Sequence, residues 1–257
     1  MRHGFPDSLH VVRPHPLRDV APRCGRGDAR RVATWEAAAV RILATSDWHG
    51  MIPMRPSGKW DVVVHCGDMK PNRTRGTRVI EEPFQRQWIR QNAGKIARYC
   101  DGRPLVYVPG NHDYWDPAES LSKVGVVCHT LIGTSVEIDG VRFLGFPWVP
   151  SFTGEWNREE DEQDIYNRLD EIDIGANDVL ISHGPPRGHV DVNAWGEMCG
   201  SLALEEKLRS LRRHRLSFVL CGHIHECAGN ASMLNGIGIY NVATTMKLVE
   251  FVQKSPH

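Results

Sequence analysis

Acidic, amide and imidazole side chains follow five short apolar runs of this sequence, and each set begins where its run ends. The clearest set is Gly110-Asn111-His112-Asp113, which comes directly after the apolar run at 104–109. The other four sets are Asp47 with His49, Gly67 with Asp68, His183 alone, and Gly222 with His223 and His225. Short apolar runs indicate buried strands, and ligands bind at the carboxyl ends of strands in α/β sheets. The pattern therefore predicts that these side chains converge on one site.

Seven of these residues are candidate metal ligands: Asp47, His49, Asp68, Asn111, His183, His223 and His225. Mixed oxygen and imidazole donors favour manganese, iron or zinc over magnesium or calcium, and the sequence leaves the choice among those three open. Seven groups exceed the needs of one four-coordinate ion, so we expect two ions about 3.5–4 Å apart that share a carboxylate. Asp68 stands centrally in the order and is the expected bridge.

A centre of this kind suits the hydrolysis of a phosphate ester. Two ions neutralise the non-bridging oxygens and lower the pKa of a bound water from about 16 toward about 7, so that hydroxide attacks phosphorus. The departing oxygen then needs a proton. His112 lies next to Asn111 and is the expected proton donor, with Asp113 orienting its ring or raising its pKa.

Other side chains near the motifs have more than one interpretation. His65 ends an apolar run but is more typical of packing than of ligation. Six loop aromatics either form a stacking surface for a base or an aromatic leaving group, or fill a core beneath long loops; they are Tyr114, Trp115, Trp148, Phe152, Trp156 and Trp195. Trp115 is the aromatic most expected to line the pocket. Arg187 either contacts the substrate phosphate or faces solvent, and Asn111 and His112 complete the expected substrate contacts.

Composition narrows the class of protein. The 257 residues carry 31 basic and 31 acidic side chains, which gives no sign of a generally basic nucleic-acid binder. The 41% of apolar residues is enough for one substantial domain at 39–257. Residues 1–38 are rich in Pro and Arg and predict a flexible extension. No apolar run is long enough for a transmembrane helix.

The seven cysteines predict reduced thiols and a cytoplasmic location, because they are irregularly spaced and no CxxC occurs. A zinc site formed by Cys199, Cys221 and Cys227 is the alternative, although no paired spacing supports it.

Strands and helices alternate along the chain, and hairpins follow. Periodicity predicts helices at 80–99, 158–174 and 201–214. Beyond the motif strands, we expect strands at 124–129, 134–138 and 141–146, and closing antiparallel strands at 237–241 and 246–252. The alternation predicts two sheets packed together with helices outside.

The five sets of residues, taken in order over about 41–252, resemble the motifs of the calcineurin-like metallophosphoesterases. The resemblance implies a four-layer α/β/β/α sandwich of two mixed sheets, and a dinuclear centre. Carried over, the first metal would be held by Asp47, His49, Asp68 and His225. The second would be held by Asp68, Asn111, His183 and His223.

A narrower resemblance is carried by residues 143–152, Trp156-Asn157, His183-Gly184-Pro185-Pro186 and residues 222–226. These are similar to the branch of metallophosphoesterase-domain proteins and class III cyclic-nucleotide phosphodiesterases. That branch implies hydrolysis of small nucleotide-like phosphodiesters, often supported by manganese. Two alternatives stay open: a nuclease or RNA-processing phosphoesterase, and a non-enzymatic scaffold stabilised by metal.

Overall fold

The computed structural model describes residues 39–74, 76–152 and 154–252. The extension predicted at 1–38 lies outside these residues. The strands are β1 (Ala39–Thr45), β2 (Val62–His65), β3 (Leu105–Tyr107), β4 (Cys128–Thr130), β5 (Ser135–Ile138), β6 (Val141–Phe146), β7 (Val149–Pro150), β8 (Glu159–Glu160), β9 (Val179–Ser182), β10 (Phe218–Cys221), β11 (Ala231–Leu234), β12 (Ile237–Asn241) and β13 (Met246–Val252). The helices are α1 (Arg78–Cys100), α2 (Ala118–Ser122), α3 (Glu162–Asp170) and α4 (Leu202–Ser210), with 3-10 turns at Ile174–Ala176 and His225–Cys227.

Two mixed sheets form the centre of the fold. The first has the order β13-β1-β2-β3-β4, with β1 to β4 parallel and β13 antiparallel to β1. The second has the order β11-β12-β10-β9-β6-β5, with β12, β10, β9 and β6 parallel and an antiparallel strand at each edge. Apolar strands buried on both faces are typical of such parallel arrangements.

Alternate residues of each strand enter different layers, as the two-residue period of a strand requires. In β1, Ile42 and Ala44 belong to the apolar cluster between the sheets, which they share with Ile181 and Leu220 of the second sheet. Leu43 points the other way, into a cluster with residues of α1. The outer face of the second sheet packs on α3 and α4 in the same manner. The predicted α/β/β/α sandwich is confirmed.

Some predicted elements differ from those in the structure. The helix predicted at 158–174 is confined to α3, and α2 precedes a β4 shorter than the strand predicted at 124–129. The two closing strands lie in different sheets: β12 runs parallel to β10, whereas β13 pairs antiparallel with β1. Sequence period specifies which face of a strand is apolar, but not which strand becomes its neighbour.

The parallel strands carry their carboxyl ends to a common edge. In the first sheet, Thr45 pairs with His65, and His65 pairs with Tyr107, so three loops leave the sheet side by side. An isolated bridge between Ser46 and Ala243 joins the end of β1 to the segment after β12 in the second sheet. All five predicted sets of polar residues therefore open onto one region. None of the helices in the described part of the chain has the length and apolar character needed to span a bilayer.

Candidate metal centre

Three groups of side chains offer ligand atoms that lie within 4.8 Å of one another in the described residues. The first is Asp47, His49 and His225, which we name the open half. The second is Asp68, His183 and His223, which we name the buried half. The third joins His49 and Asp68 to His112. Residues up to 178 positions apart thus meet, as with His225 and Asp47.

Asp68 lies at the centre of the cluster. Its Oδ2 is 3.5 Å from Nε2 of His183, 3.7 Å from Nε2 of His49 and 4.0 Å from Nε2 of His112. Its Oδ1 accepts a hydrogen bond of 2.9 Å from the backbone N–H of His112. Burial alone would raise the pKa of Asp68, but the imidazoles of His183 and His112 hold it well below the ordinary value. One carboxylate oxygen therefore lies near candidate ligands of both halves, His49 and His183, as a bridging ligand requires.

His183 is held by one ring nitrogen, which leaves the other for a ligand. Nδ1 lies 2.8 Å from the carbonyl oxygen of Cys66, so this nitrogen carries the proton and donates it. Nε2 lies 2.9 Å from Oδ1 of Asn111. A backbone carbonyl at the far nitrogen is the usual arrangement for a metal-ligating histidine. Burial opposes protonation of His183, but Asp68 raises its pKa to about 9.

His223 offers the clearest sign of a missing partner. Its Nε2 is buried and has no hydrogen-bond partner among the described residues. Burial lowers the pKa of His223 to about 3, so the ring is neutral and keeps a lone pair. Buried polar atoms are nearly always satisfied, and a divalent cation would satisfy this one. The donor set as a whole, two carboxylates with imidazoles and an amide, fits manganese, iron or zinc.

In the open half, Asp47 faces both histidines. Oδ1 of Asp47 lies 3.2 Å from Nε2 of His225 and 3.9 Å from Nε2 of His49. Oδ2 accepts from the backbone N–H of His223 at 3.0 Å, which ties this half to the other. The hydrogen bond to Asp47 raises the pKa of His225.

The glycines that precede three ligands are needed for close approach. A Cβ on Gly67 would overlap Nδ1 of His183, one on Gly110 would overlap Oδ1 of Asp68, and one on Gly222 would overlap Oδ2 of Asp47. Only Gly67 of the three also has a positive φ, of 110°. The motif glycines therefore let one loop touch the ligands of another.

Four of the candidate ligands have left-handed backbones. Their φ angles are 56° for Asp47, 42° for His49, 56° for Asp68 and 69° for His223. Such angles are uncommon outside glycine, although Asp and His tolerate them better than most residues. Residues held in this region cluster at functional sites, where the surrounding structure determines them.

His112 is held by residues that the sequence analysis did not select. Nδ2 of Asn72 donates to the backbone oxygen of His112 at 3.1 Å, which turns Oδ1 of Asn72 toward Nδ1 of the ring at 2.9 Å. Nδ1 must therefore carry a proton, and Nε2 faces Asp68. Nε2 of Gln85, from α1, donates to the same backbone oxygen at 2.7 Å. The only signal for Asn72 was its position four residues after Asp68.

Asp113 makes its direct contacts with the loops around the His112 ring. It is buried, and its carboxylate accepts from the backbone N–H groups of Gly110 and Met69 and pairs with Nζ of Lys70 at 3.0 Å. The His112 ring instead donates its hydrogen bond from Nδ1 to Oδ1 of Asn72. Burial lowers the pKa of His112 overall, although Asp68 and, less strongly, Asp113 oppose this. Of the two expected roles of Asp113, raising the pKa of His112 agrees with the structure, whereas the ring nitrogen is hydrogen-bonded to Asn72 and not to Asp113. The direct contacts of Asp113 hold together the loops that carry Asp68 and Asn111.

The profile of the calcineurin-like phosphoesterases matches residues 40–227. This chain belongs to the calcineurin-like phosphoesterase family. Membership makes it a phosphoric ester hydrolase by family, and the family's dinuclear metal chemistry agrees with the Asp and His groups described above.

Two relatives of this phosphoesterase match most of its length. A UPF0046 protein of Caenorhabditis elegans is 28% identical over 213 residues, which cover 74% of this chain and 70% of that protein. Human metallophosphoesterase domain-containing protein 1 is 24% identical over 229 residues, covering 78% of this chain and 64% of the human protein. Among solved structures, the sulfate thiohydrolase SoxB of Thermus thermophilus is 16% identical with a TM-score of 0.35, over 71% of this chain and 33% of that one, a likeness too low to support a conclusion.

The remaining predicted residues of this phosphoesterase lie as follows. The Trp115 ring lies 3.9 Å from the Arg86 guanidinium of α1, and exposed Arg187 donates to the backbone oxygen of Met198 at 3.3 Å. Neither contact involves a candidate ligand, so their roles toward substrate stay predictions. His65 is buried, and its Nδ1 accepts from the backbone N–H of Gly67, as expected for a structural histidine.

The cysteines in the described residues are free: Cys66, Cys100, Cys128, Cys199, Cys221 and Cys227. None of them enters the three metal-ligand groups found there, so the alternative zinc site gains no support. Burial raises the pKa of Cys66 and Cys221, which keeps these thiols protonated.

Proposed function

We propose that this protein is a dinuclear metal-dependent phosphodiesterase that hydrolyses small nucleotide-like phosphodiesters. The observation that carries the proposal is the position of Asp68, whose Oδ2 faces imidazole nitrogens of His49, His112 and His183. Family membership supports ester hydrolysis, and the narrower sequence resemblance supports diesters.

In this proposal, Asp47, His49, Asp68 and His225 hold one cation, and Asp68, Asn111, His183 and His223 hold the other. When bound, the two cations would offset the charge of the phosphoryl oxygens and lower the pKa of a coordinated water. Nδ1 of His183 keeps its proton on the carbonyl of Cys66, so the ring presents Nε2 to the buried half. Manganese is the first metal to test, with iron and zinc beside it.

His112 is the proposed proton donor to the departing oxygen. Asn72 fixes the proton of Nδ1, so a neutral His112 ring has no proton on Nε2. Only the imidazolium can therefore donate from Nε2, the nitrogen that faces Asp68. The anionic Asp68 favours that charged form, while burial of the ring disfavours it.

Asn111 and His112 are proposed polar contacts to substrate, and Trp115 and Arg187 are proposed further contacts. The nucleotide-like character of the substrate rests on the sequence resemblance. A cytoplasmic location is proposed from the free cysteines alone.

The experiment is a substrate panel with the purified protein loaded separately with manganese, iron and zinc. The panel contains bis-p-nitrophenyl phosphate, p-nitrophenyl phosphate, cyclic mononucleotides and single-stranded RNA. We expect turnover of the diester and of a cyclic mononucleotide, and Asp68→Asn and Asn111→Ala should abolish it. A matched control is Asn92→Ala on α1, whose side chain bonds the backbone of Trp88.

Turnover of RNA alone would favour the nuclease alternative. Metal binding without turnover of any substrate would favour the scaffold. Unchanged diester hydrolysis in metal-loaded Asp68→Asn would remove the assignment of the bridge.

A further inference from the structure

A loop between β7 and β8 carries two aromatic rings to the metal centre. We name residues 151–152 and 154–158 the aromatic loop, after Phe152 and Trp156. Its end is fastened to the loop that carries the candidate proton donor: the backbone N–H of Asn157 donates to the oxygen of Asn111 at 3.0 Å. Nδ2 of Asn157 and Nη1 of Arg158 both donate to the oxygen of Asp113, at 2.7 and 2.9 Å. The C-terminal end of the aromatic loop is therefore attached to the loop of the site that carries Asn111 and Asp113.

The two rings contact different parts of the centre. Trp156 stacks on His112 with ring centroids 3.9 Å apart and planes at 37°. Phe152 lies against His223 with centroids 5.1 Å apart and planes at 36°. His112 belongs to a ligand group with His49, whereas His223 belongs to the buried half, and Asp68 is common to both groups. The two rings thus contact residues of two different ligand groups, which have Asp68 in common.

Packing does not account for Phe152. Its side chain is 49% exposed, although a phenylalanine gains most from full burial. The ring lies against the imidazole of a candidate metal ligand and is otherwise open to solvent, so it offers an apolar face beside His223. An aromatic face in such a position stacks on planar groups whatever their hydrogen-bonding pattern.

We propose that Phe152 is a specificity-determining residue. It stacks on a planar aromatic ring, such as a nucleobase, that is carried by the ester group retained on phosphorus. The proposal rests on the proposed function, because the proton donor in that function decides on which side of the site the leaving group lies. His112 protonates the departing oxygen, so the leaving group lies on the side of Trp156. The group that stays on phosphorus is then the one on the side of His223 and Phe152.

The test compares two diesters that share one leaving group. Thymidine 5′-(p-nitrophenyl phosphate) retains a nucleoside after reaction, and methyl p-nitrophenyl phosphate retains a methyl group. The wild-type protein should prefer the nucleoside ester in kcat/KM. Phe152→Leu should raise KM for the nucleoside ester about tenfold with kcat unchanged, since stacking contributes equally to ground and transition states. The methyl ester should react as before.

Phe152→Trp keeps an aromatic face and should retain the preference, while Phe84→Leu, the same change on α1, should alter neither substrate. Equal losses on both diesters in Phe152→Leu, or a wild-type protein without preference, would overturn the proposal.

Failure of the proposed function gives a separate result. If the metal-loaded wild-type protein turns over neither diester, hydrolysis is refuted, and binding then tests Phe152 by itself. Equilibrium binding of thymidine 5′-phosphate should be about tenfold weaker in Phe152→Leu than in the wild type, with methyl phosphate unaffected. Equal affinities for thymidine 5′-phosphate in the two proteins would overturn the role of Phe152.

Discussion

The two halves of the metal centre are linked through Asp68, which faces His49, and Asp47, which accepts from the backbone of His223, but they differ in their contact with solvent. In the buried half, the His183 side chain is fully buried. In the open half, the side chains of His49 and His225 are 28% and 44% exposed. The same kinds of ligand thus occupy two different environments a few ångströms apart.

The difference teaches how each half is organised. His183 is oriented by the carbonyl of Cys66 and lies beside Asn111, so protein groups fix it without metal. His225 has Asp47 as the partner of its ring nitrogen, and the rest of its ring reaches solvent. We therefore expect the buried half to retain its cation and the open half to exchange its cation and admit substrate.

Removing one histidine from each half should give the largest effects. His183→Ala should lose the cation of the buried half, leave Asp68 without its nearest imidazole, and reduce activity by more than the roughly hundredfold loss that removal of an outer-sphere partner brings. His225→Ala should retain one cation per chain and recover part of its activity at high metal concentration. Elemental analysis measures the metal content of each variant, and kcat as a function of metal concentration measures how much activity is recovered. Equal metal loss in the two variants would show that the halves do not differ.

The Lys70 and Asp113 pair supports the loops that meet in the buried half. Both side chains are fully buried, and Nζ of Lys70 also donates to the hydroxyl of Tyr107 at 2.6 Å. Lys70→Met leaves the Asp113 carboxylate buried and unpaired, which should lower the free energy of unfolding by about 3–5 kcal/mol. Urea denaturation of the metal-loaded protein measures the loss.

Adding Asp113→Asn to Lys70→Met should restore part of that stability, because it removes the orphaned charge. The matched control is Lys123→Met, in an exposed pair with Glu119, which should leave the urea midpoint unchanged. If Lys70→Met alone is as stable as the wild-type protein, the stabilising role of the Lys70 and Asp113 pair is contradicted.

The raised pKa of His183 predicts a pH dependence for the metal-free protein. Its value of about 9 in the folded state exceeds the ordinary 6.5, so the stabilisation is complete below pH 6.5 and is lost as pH rises toward 9. The free energy of unfolding should therefore fall by about 1 kcal/mol per pH unit between pH 7 and 8. Urea denaturation with chelator at pH 6.5, 7.3 and 8.0 measures it. Metal loading, which needs a neutral His183 ring, and His183→Ala should both make stability independent of pH in this range. A flat curve for the metal-free wild-type protein would show that Asp68 does not stabilise the protonated form of His183.

The smallest effect separates two tryptophans near His112. Trp156 stacks on the ring, whereas the contact of Trp115 is with Arg86. Trp156→Leu should lower kcat a few-fold, about 1 kcal/mol, because the imidazole loses a packing partner. Trp115→Leu should instead act on KM if its predicted contact with substrate is right. Steady-state kinetics on bis-p-nitrophenyl phosphate measure both effects. A loss of kcat in Trp115→Leu and not in Trp156→Leu would show that Trp115, and not Trp156, supports His112.

Much of the site could be predicted from the sequence because its ligands stand at strand ends. A ligand such as Asp68 follows a buried apolar run, and the parallel pairing of that run with β1 and β3 sets its loop beside the others. The order of the layers could also be predicted from the apolar strands, because alternate residues of a strand such as β1 enter two different apolar clusters. In α4, Leu204 and Leu208 are buried, whereas Leu202 in the first turn is 41% exposed.

The sequence by itself determined which side chains could bind metal and which runs would carry them, since both depend on residue type and short-range period. Only the tertiary structure decided that Asn72 and Gln85 hold His112, that Lys70 neutralises Asp113, and that the aromatic loop covers His112 and His223. These contacts join residues 27 to 71 positions apart. Their partners are selected by how the sheets, α1 and the loops pack, and no local pattern of residues records that choice.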